Sequence, residues 1–237
     1  MADAGFWDKL AGAKWIVIWG LLGAYGAMEA GLRTLRGVPR AWSWSRYHWR
    51  NRHLAKDFYY KHREYAYRIS PDGRTYLHVR RETVVAQKAL IEIPISYRWT
   101  GEGEVEAGVE PSSFSLTDAA RIKGQTRTRK LIRPDQALRK GDEAEYTFTV
   151  KCAVTGKPPE PFLGCQSSHR VDELILRVLF SLQRLPLRVW YVTQNPDGQE
   201  ISREAVERFD PITGEYRKHI NHPDAHILYI LEWEWAD

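Results

Sequence analysis

The sequence predicts a mainly β protein, an antiparallel β-sandwich (immunoglobulin-like) or a barrel, preceded by an N-terminal helical membrane segment. Three observations predict it. Beyond residue 65, apolar residues alternate with polar ones over several short runs, the period of a half-buried strand. Turn clusters rich in Pro, Asp and Gly separate those runs. Near the N-terminus one long apolar stretch lacks that alternation and has the length of a bilayer span. These divide the 237 residues into an N-terminal tail (1–14), a transmembrane helix (15–32), a basic aromatic connector helix (33–64) and a cytoplasmic β domain (65–237).

The span reads WIVIWGLLGAYGAMEAGL from Trp15 to Leu32. Eighteen residues of helix rise about 27 Å, close to the roughly 30 Å hydrocarbon core. Its one charge, Glu29, lies near the end and pairs readily with Arg33. Trp15 and Trp19 suit the headgroup level. Gly20, Gly23, Ala27 and Gly31 are small residues, and the last three recur at four-residue spacing. That spacing lets two helix backbones approach, so self-association in the membrane is expected. Two other readings stay open: a helix lying in the interface or packed on a partner protein, and a cleaved signal peptide.

The flanks set the orientation. Nine basic residues and one acid, Asp57, lie between Arg33 and Arg63, and the rest of the chain holds 26 basic against 29 acidic residues. The net charge of +5 therefore describes one segment. Basic residues just beyond a span mark the cytoplasmic side. The β domain is then expected in the cytoplasm, on the bacterial inner membrane. Pro39 after Gly37 breaks the connector, and a helix is expected from Trp42 to Tyr65. Arg40, Arg46, Arg50 and Arg52, interleaved with Trp and Tyr, suit contact with anionic lipid, at roughly 1 kcal/mol per basic residue near the surface. Without a global basic surface, duplex nucleic acid is not an expected partner.

In the β domain, Ser70-Pro71-Asp72-Gly73 is a turn between two strand-like runs. Ile91, Ile93, Ile95, Tyr97 and Trp99 alternate with polar residues, and Pro94 marks an edge or a bulge. Ala144, Tyr146, Phe148, Val150 and Cys152 share a face. So do Leu174, Leu176, Val178 and Phe180, then Leu187, Val189 and Tyr191, and finally Ile227, Tyr229, Leu231, Trp233 and Trp235. Asn195-Pro196-Asp197-Gly198 is a second turn. Gly101 to Asp142 reads as long loops around a short strand at Thr128 to Arg133. The loops 101–127 and 156–172 are where a binding surface is expected.

No catalytic motif appears, and no cofactor is implied. The segment HINHPDAH places His219, His222 and His226 near Asp224, a spacing that can hold zinc. Pro223 prevents a shared helical face, so a loop explains it equally well and no metal is assigned. Cys152 and Cys165 lack a CxxC partner and read as two buried thiols. Glu102 and Glu104 lie in a Gly-rich, exposed-looking stretch.

The order of parts resembles, in architecture, the transmembrane effectors of bacterial cyclic-nucleotide anti-phage systems, where a membrane helix segment precedes a β-rich nucleotide sensor. No motif residue carries over, and this chain shows one span where those commonly have more. The resemblance implies a non-enzymatic membrane effector or sensor. Its β domain would bind a small nucleotide signal, and its N-terminal helix would oligomerise or disturb the membrane. The alternative is a membrane-tethered adaptor or scaffold that recruits a protein partner through its loops or an edge strand.

Overall fold

The computed structural model describes residues 57–119, 128–206, 209–210 and 212–235. In chain order its strands are β1 (Phe58–Ile69), β2 (Thr75–Ala86), β3 (Ile93–Tyr97), β4 (Gly103–Glu110), β5 (Phe114–Asp118), β6 (Thr128–Pro134) and β7 (Glu143–Val154). They continue with β8 (Phe162–Gln166), β9 (Glu173–Leu179), β10 (Pro186–Gln194), β11 (Glu200–Ala205), β12 (Phe209–Asp210), β13 (Glu215–Asn221) and β14 (Leu228–Trp235). Among the described residues no helix occurs.

A seven-stranded sheet, ordered β12-β13-β9-β1-β2-β7-β4, forms one layer. A four-stranded sheet, β11-β10-β14-β8, and a three-stranded sheet, β3-β6-β5, supply the residues packed against it. Ring contacts cross between the layers: Tyr67 meets Trp233 at 6.0 Å, Tyr97 meets Phe148 at 5.8 Å and Phe114 meets Tyr146 at 5.7 Å. The architecture is thus mainly β and sandwich-like. Seven strands in one sheet and the parallel pairing of β1 with β9 depart from the immunoglobulin arrangement of two antiparallel sheets.

The strongest alternations hold. Tyr146, Phe148, Val150 and Cys152 of β7 are all buried, as are Tyr229, Leu231 and Trp233 of β14. Pro94 lies in β3, an edge strand that bonds only β6, where its missing N–H leaves no ladder bond unmade. The two predicted turns carry Gly73 and Gly198 at φ of 65° and 82°, a backbone that a side chain would strain.

Four expectations are corrected. The connector helix does not reach residue 64, because β1 begins at Phe58 and pairs with Ala86 of β2. A bulge between Tyr60 and His62 breaks the period of two there, so the strand signal is lost locally although Phe58 and Tyr60 are buried. Within 101–127, the described residues 101–119 are not mainly loop, since β4 and β5 lie there. Strand β4 is the outer edge of its sheet, and its apolar set, Val105, Ala107 and Val109, is small and at most half-buried among glutamates and glycines. Leu187 does not face inward. The register slips between Pro186 and Arg188, Pro186 is buried in its place, and Leu187 is 60% exposed. Ile91 precedes β3 and is 67% exposed. The membrane-span residues Trp15, Trp19, Gly20, Gly23, Ala27 and Gly31, and the connector arginines Arg40, Arg46, Arg50 and Arg52, lie outside the described residues.

On the outer face of the large sheet, Glu173 of β9 bridges two neighbouring strands. One oxygen meets His62 Nδ1 of β1 and the other meets His219 Nε2 of β13 at 2.7 Å. Partial burial opposes the charged carboxylate, but the bonds from His62 and His219 outweigh it and hold the group below its ordinary value of 4.5. A carboxyl whose pKa is lower folded than unfolded contributes stability above the unfolded value. That stability is lost as pH falls through the folded value. Glu173→Gln is therefore expected to lower the unfolding midpoint at pH 7, with the gap from wild type closing below about pH 4. Thermal melts across that range check it, and a gap that widens in acid would reverse the assignment.

Candidate functional site

The floor of the site comes from the centre of the large sheet. Strand β2 turns Tyr76, His78, Arg80, Glu82 and Val84 to one face, and β1 presents Arg63, Tyr65 and Tyr67 beside them. Register pairs Arg63 with Glu82, Tyr65 with Arg80, and Tyr67 with His78. On the other side β7 sets Tyr146 against Glu82 and Phe148 against Arg80. A short row of polar groups is thereby enclosed among aromatic rings, with Arg63, Arg80 and Glu82 at 5%, 6% and 0% exposure.

Their partners are unequal. Arg63 gives Glu82 Oε1 two hydrogen bonds, at 2.9 Å from Nε and 2.6 Å from Nη2, and Nη2 also donates to the Tyr65 hydroxyl at 2.6 Å. The Tyr146 hydroxyl donates to the other Glu82 oxygen at 2.5 Å. Burial disfavours the Glu82 carboxylate, but Arg63, Arg80 and the Tyr146 hydroxyl overcome this and hold it below the ordinary carboxyl range. Burial, with the adjacent Glu82 charge, pushes the Tyr146 hydroxyl far above its usual range, so it stays a donor.

Arg80 has no such carboxylate. It donates from Nη1 to the Ser96 carbonyl at 2.8 Å and lies 4.6 Å over the Tyr65 ring, while its Nε is buried with no hydrogen-bond partner. A buried guanidinium with no counter-ion of its own is costly. Here it is offset by ring contacts, one carbonyl and the field of Glu82.

Two edge strands wall the space above this floor. Strand β3 bonds only β6, and β8 bonds only β14, which leaves a cleft between their free edges. A polar chamber of about 280 Å³ lies against Pro94–Ser96 and the Ser167–His169 turn, with Arg63, Arg80 and Arg129 around it. A second, more aromatic chamber of about 180 Å³ follows along β3 to Thr100, with His78, Tyr97, Trp99 and Phe162 on its walls. Tyr65, Arg80, Ser96 and Gln166 belong to both, so Arg80 stands where they meet. The far end is closed by Glu102 N donating to Lys157 O at 2.8 Å and Glu160 N to Thr100 Oγ1 at 2.9 Å. A Cβ on Gly101 would come within 2.9 Å of the Pro159 nitrogen, so this closure requires glycine.

The electrostatics favour an anion: three guanidiniums surround the polar chamber, and the nearby Glu82 is consumed by Arg63 and Tyr146. Burial, reinforced by Arg80, holds the His78 imidazole well below its ordinary 6.5, so it is neutral at pH 7. Burial and Arg63 act on His169 in the same direction. The chamber thiols are quiescent. Burial pushes Cys152 up to about 12 and raises Cys165, so both stay protonated near neutrality. Both cysteines are free and buried.

No protein-family model matches the sequence, nor does that of any curated protein. Among solved structures, the chain is similar to an M1 zinc metallopeptidase mutant from Deinococcus radiodurans bound to a Tyr-Ser-Ala substrate. The identity is 11% and the TM-score 0.41, over 75% of this chain and 43% of that one. A second structure of the M1 zinc metallopeptidase from Deinococcus radiodurans gives 12% and 0.40, over 74% of this chain and 42% of the other. The chain thus spans less than half the length of these proteins. Likeness at this level carries no conclusion about activity.

Of the sequence-predicted positions, the segment 156–172 lines the cleft, through β8 and the Ser167–His169 turn, whereas the described part of the other, residues 101–119, contributes no lining residue. Among the described residues no group of three or more His, Cys, Asp or Glu side chains is arranged to hold a metal ion. His219 is engaged by Glu173, while His222 and His226 sit at positive φ in the turn before β14. Arg63, Arg80, Glu82 and His78, which make the site, were not singled out as site residues from the sequence. The available signal was a strand-like run, YLHVRRETVV, in which either set of alternate residues includes charges.

Proposed function

We propose that this chain is a membrane-anchored, non-enzymatic effector or sensor whose β domain takes a small anionic signal into the cleft between β3 and β8. The observation that carries this reading is Arg80, a buried guanidinium without a counter-ion at the meeting point of two chambers. A buried cation with its acceptor left out is what a pre-formed anion site needs before its ligand arrives. The thiols of the cleft stay protonated, which suits holding a ligand rather than attacking one.

In this reading residues 15–32 span the bacterial inner membrane, the arginines after them hold the β domain on the cytoplasmic side, and the small-residue face joins copies of the helix. A place in anti-phage defence, with a small nucleotide as signal, follows from the order of parts.

Two measurements test it. The full chain in detergent is titrated with inorganic pyrophosphate and with cyclic mono- and dinucleotides while its melting temperature is followed. Wild type is expected to gain stability with at least one. Arg80→Gln is expected to lose that response, with the thermal melt of the ligand-free variant showing that it folds. A wild-type protein indifferent to every anion would sink the reading. In cells, full-length protein with the signal is expected to depolarise the membrane, and Gly23→Ile with Ala27→Ile is expected to reduce crosslinking between helices. Unchanged crosslinking would remove the small-residue interface. Stoichiometric capture of a protein partner with no anion response would favour the adaptor.

A further inference from the structure

We infer that the end of the β domain where the turns 70–73, 181–185 and 212–214 meet is a lipid-contact surface of its own, which docks on an anionic bilayer. It is separate from the cleft between β3 and β8, and it adds a contact made by the β domain itself to the N-terminal anchor.

The three turns are held together. Strand β1 ends at Ile69 and its parallel neighbour β9 ends at Leu179, so the turns that follow them emerge side by side. The Arg184 guanidinium of the second turn lies against Gly73 of the first, in the place a side chain there would occupy, and 4.5 Å over the Trp235 ring. Phe180 N donates to Gly214 O at 3.0 Å, which joins the second turn to the third.

Large apolar side chains are left in water at this end. Ile212 is 83% exposed, Leu182 55% and Leu185 38%. Apolar groups gathered in this way mark a surface for another phase or partner. Beside them runs a shallow, mainly apolar groove of about 740 Å³, lined by Leu77, Leu179 and Phe180 and by Ser181 and Thr213 of the turns.

Charge decides the occupant. Arg68 and Lys151 border the groove, and Arg74 follows the first turn; all three are exposed. Neither they nor Arg184 form an ion pair among the described residues. The carboxylates of the turns are bound locally: Asp72 accepts from Ser70 Oγ and Arg74 N, and Asp210 from Thr213 Oγ1 and Ile212 N. Apolar tips set among uncompensated cations match the boundary of an anionic bilayer, where the tips enter the acyl region and each cation adds attraction to the headgroups. The anchored reading permits this end to reach the membrane. Residues 33–56 extend to at most about 80 Å, against about 40 Å for the twelve residues of β1.

In the test, the full chain is mixed in detergent with phosphatidylcholine alone, or with phosphatidylcholine and phosphatidylglycerol, and the detergent is removed. The vesicles are floated, and amide hydrogen exchange is followed in peptides covering the three turns. Exchange there is expected to slow about fivefold or more in anionic vesicles relative to neutral ones, the factor that one basic residue near such a surface supplies. The turn at 87–92, at the other end of β2, is expected to be unchanged. Arg68→Glu with Lys151→Glu, and separately Leu182→Asp, are expected to abolish the slowing, with unaltered thermal melting showing that the variants fold. Turns that exchange alike in both lipids, in a protein that floats with both, would overturn this surface and leave the anchor standing. Slowing that occurs in neutral vesicles and rises with protein density would assign the face to a second copy and overturn it equally. A chain that floats only with anionic vesicles and is released by salt would keep this surface and sink the anchor. A chain that floats with neither would overturn both.

Discussion

Glu82→Ala is expected to lower the stability of the protein by about 3–5 kcal/mol, because it removes one partner of a buried ion pair and leaves the other in place. The carboxylate has 0% exposure and accepts from Arg63 and Tyr146, and Arg80 depends on its field. Removing it leaves two buried guanidiniums facing rings. Urea unfolding of the full chain at pH 7, followed by tryptophan fluorescence, measures the loss. The replacement of Arg63 by Met together with Glu82 by Leu removes that pair as a unit and is expected to recover part of it, the remainder being the cost of Arg80 without the field of Glu82. A loss under about 1 kcal/mol for the single change would mean that Glu82 is not the group that balances this floor.

Phe148→Ala is the second large effect, again about 3–5 kcal/mol. The ring is fully buried, packs on Tyr97 across the layers at 5.8 Å, and lies 5.6 Å from the Arg80 guanidinium. Its loss leaves a cavity beside the cleft as well as lost burial. Phe148→Leu keeps most of the volume and is expected to cost less, by the same unfolding measurement. A cost near zero for the alanine variant would mean that β7 turns its other face inward. Lost anion response in a stably folded Phe148→Leu protein would show that the ring also positions Arg80.

Much of the β domain was legible in the sequence, but unevenly. The face of β7 carrying Tyr146, Phe148, Val150 and Cys152 alternates with charged and hydroxyl residues, so burial admits one orientation. Strand β14 reads the same way, apart from Ile230, which is buried on the other side. The turns at 70–73 and 195–198 were legible because glycine at positive φ is a local demand. Strands β4 and β5 were not: Val105, Ala107 and Val109, like Phe114 and Leu116, do alternate with polar residues, but these are short, half-buried runs on sheet edges set among Gly, Glu and Ser.

The site shows the boundary most sharply. In β2, Leu77 and Val79 lie on one set of alternate positions, and Tyr76 and Val84 on the other, so local patterning leaves its inner face undecided. Taken alone, the charged set would be turned to water. The sequence by itself determined that these residues form a strand. Only the tertiary structure decided that His78, Arg80 and Glu82 face the interior. There the register of β1 brings Arg63 opposite Glu82, and β7 brings Tyr146 to its other oxygen. A charge enters a protein interior only when its partners are already fixed there, and those partners come from strands whose spacing no local pattern encodes.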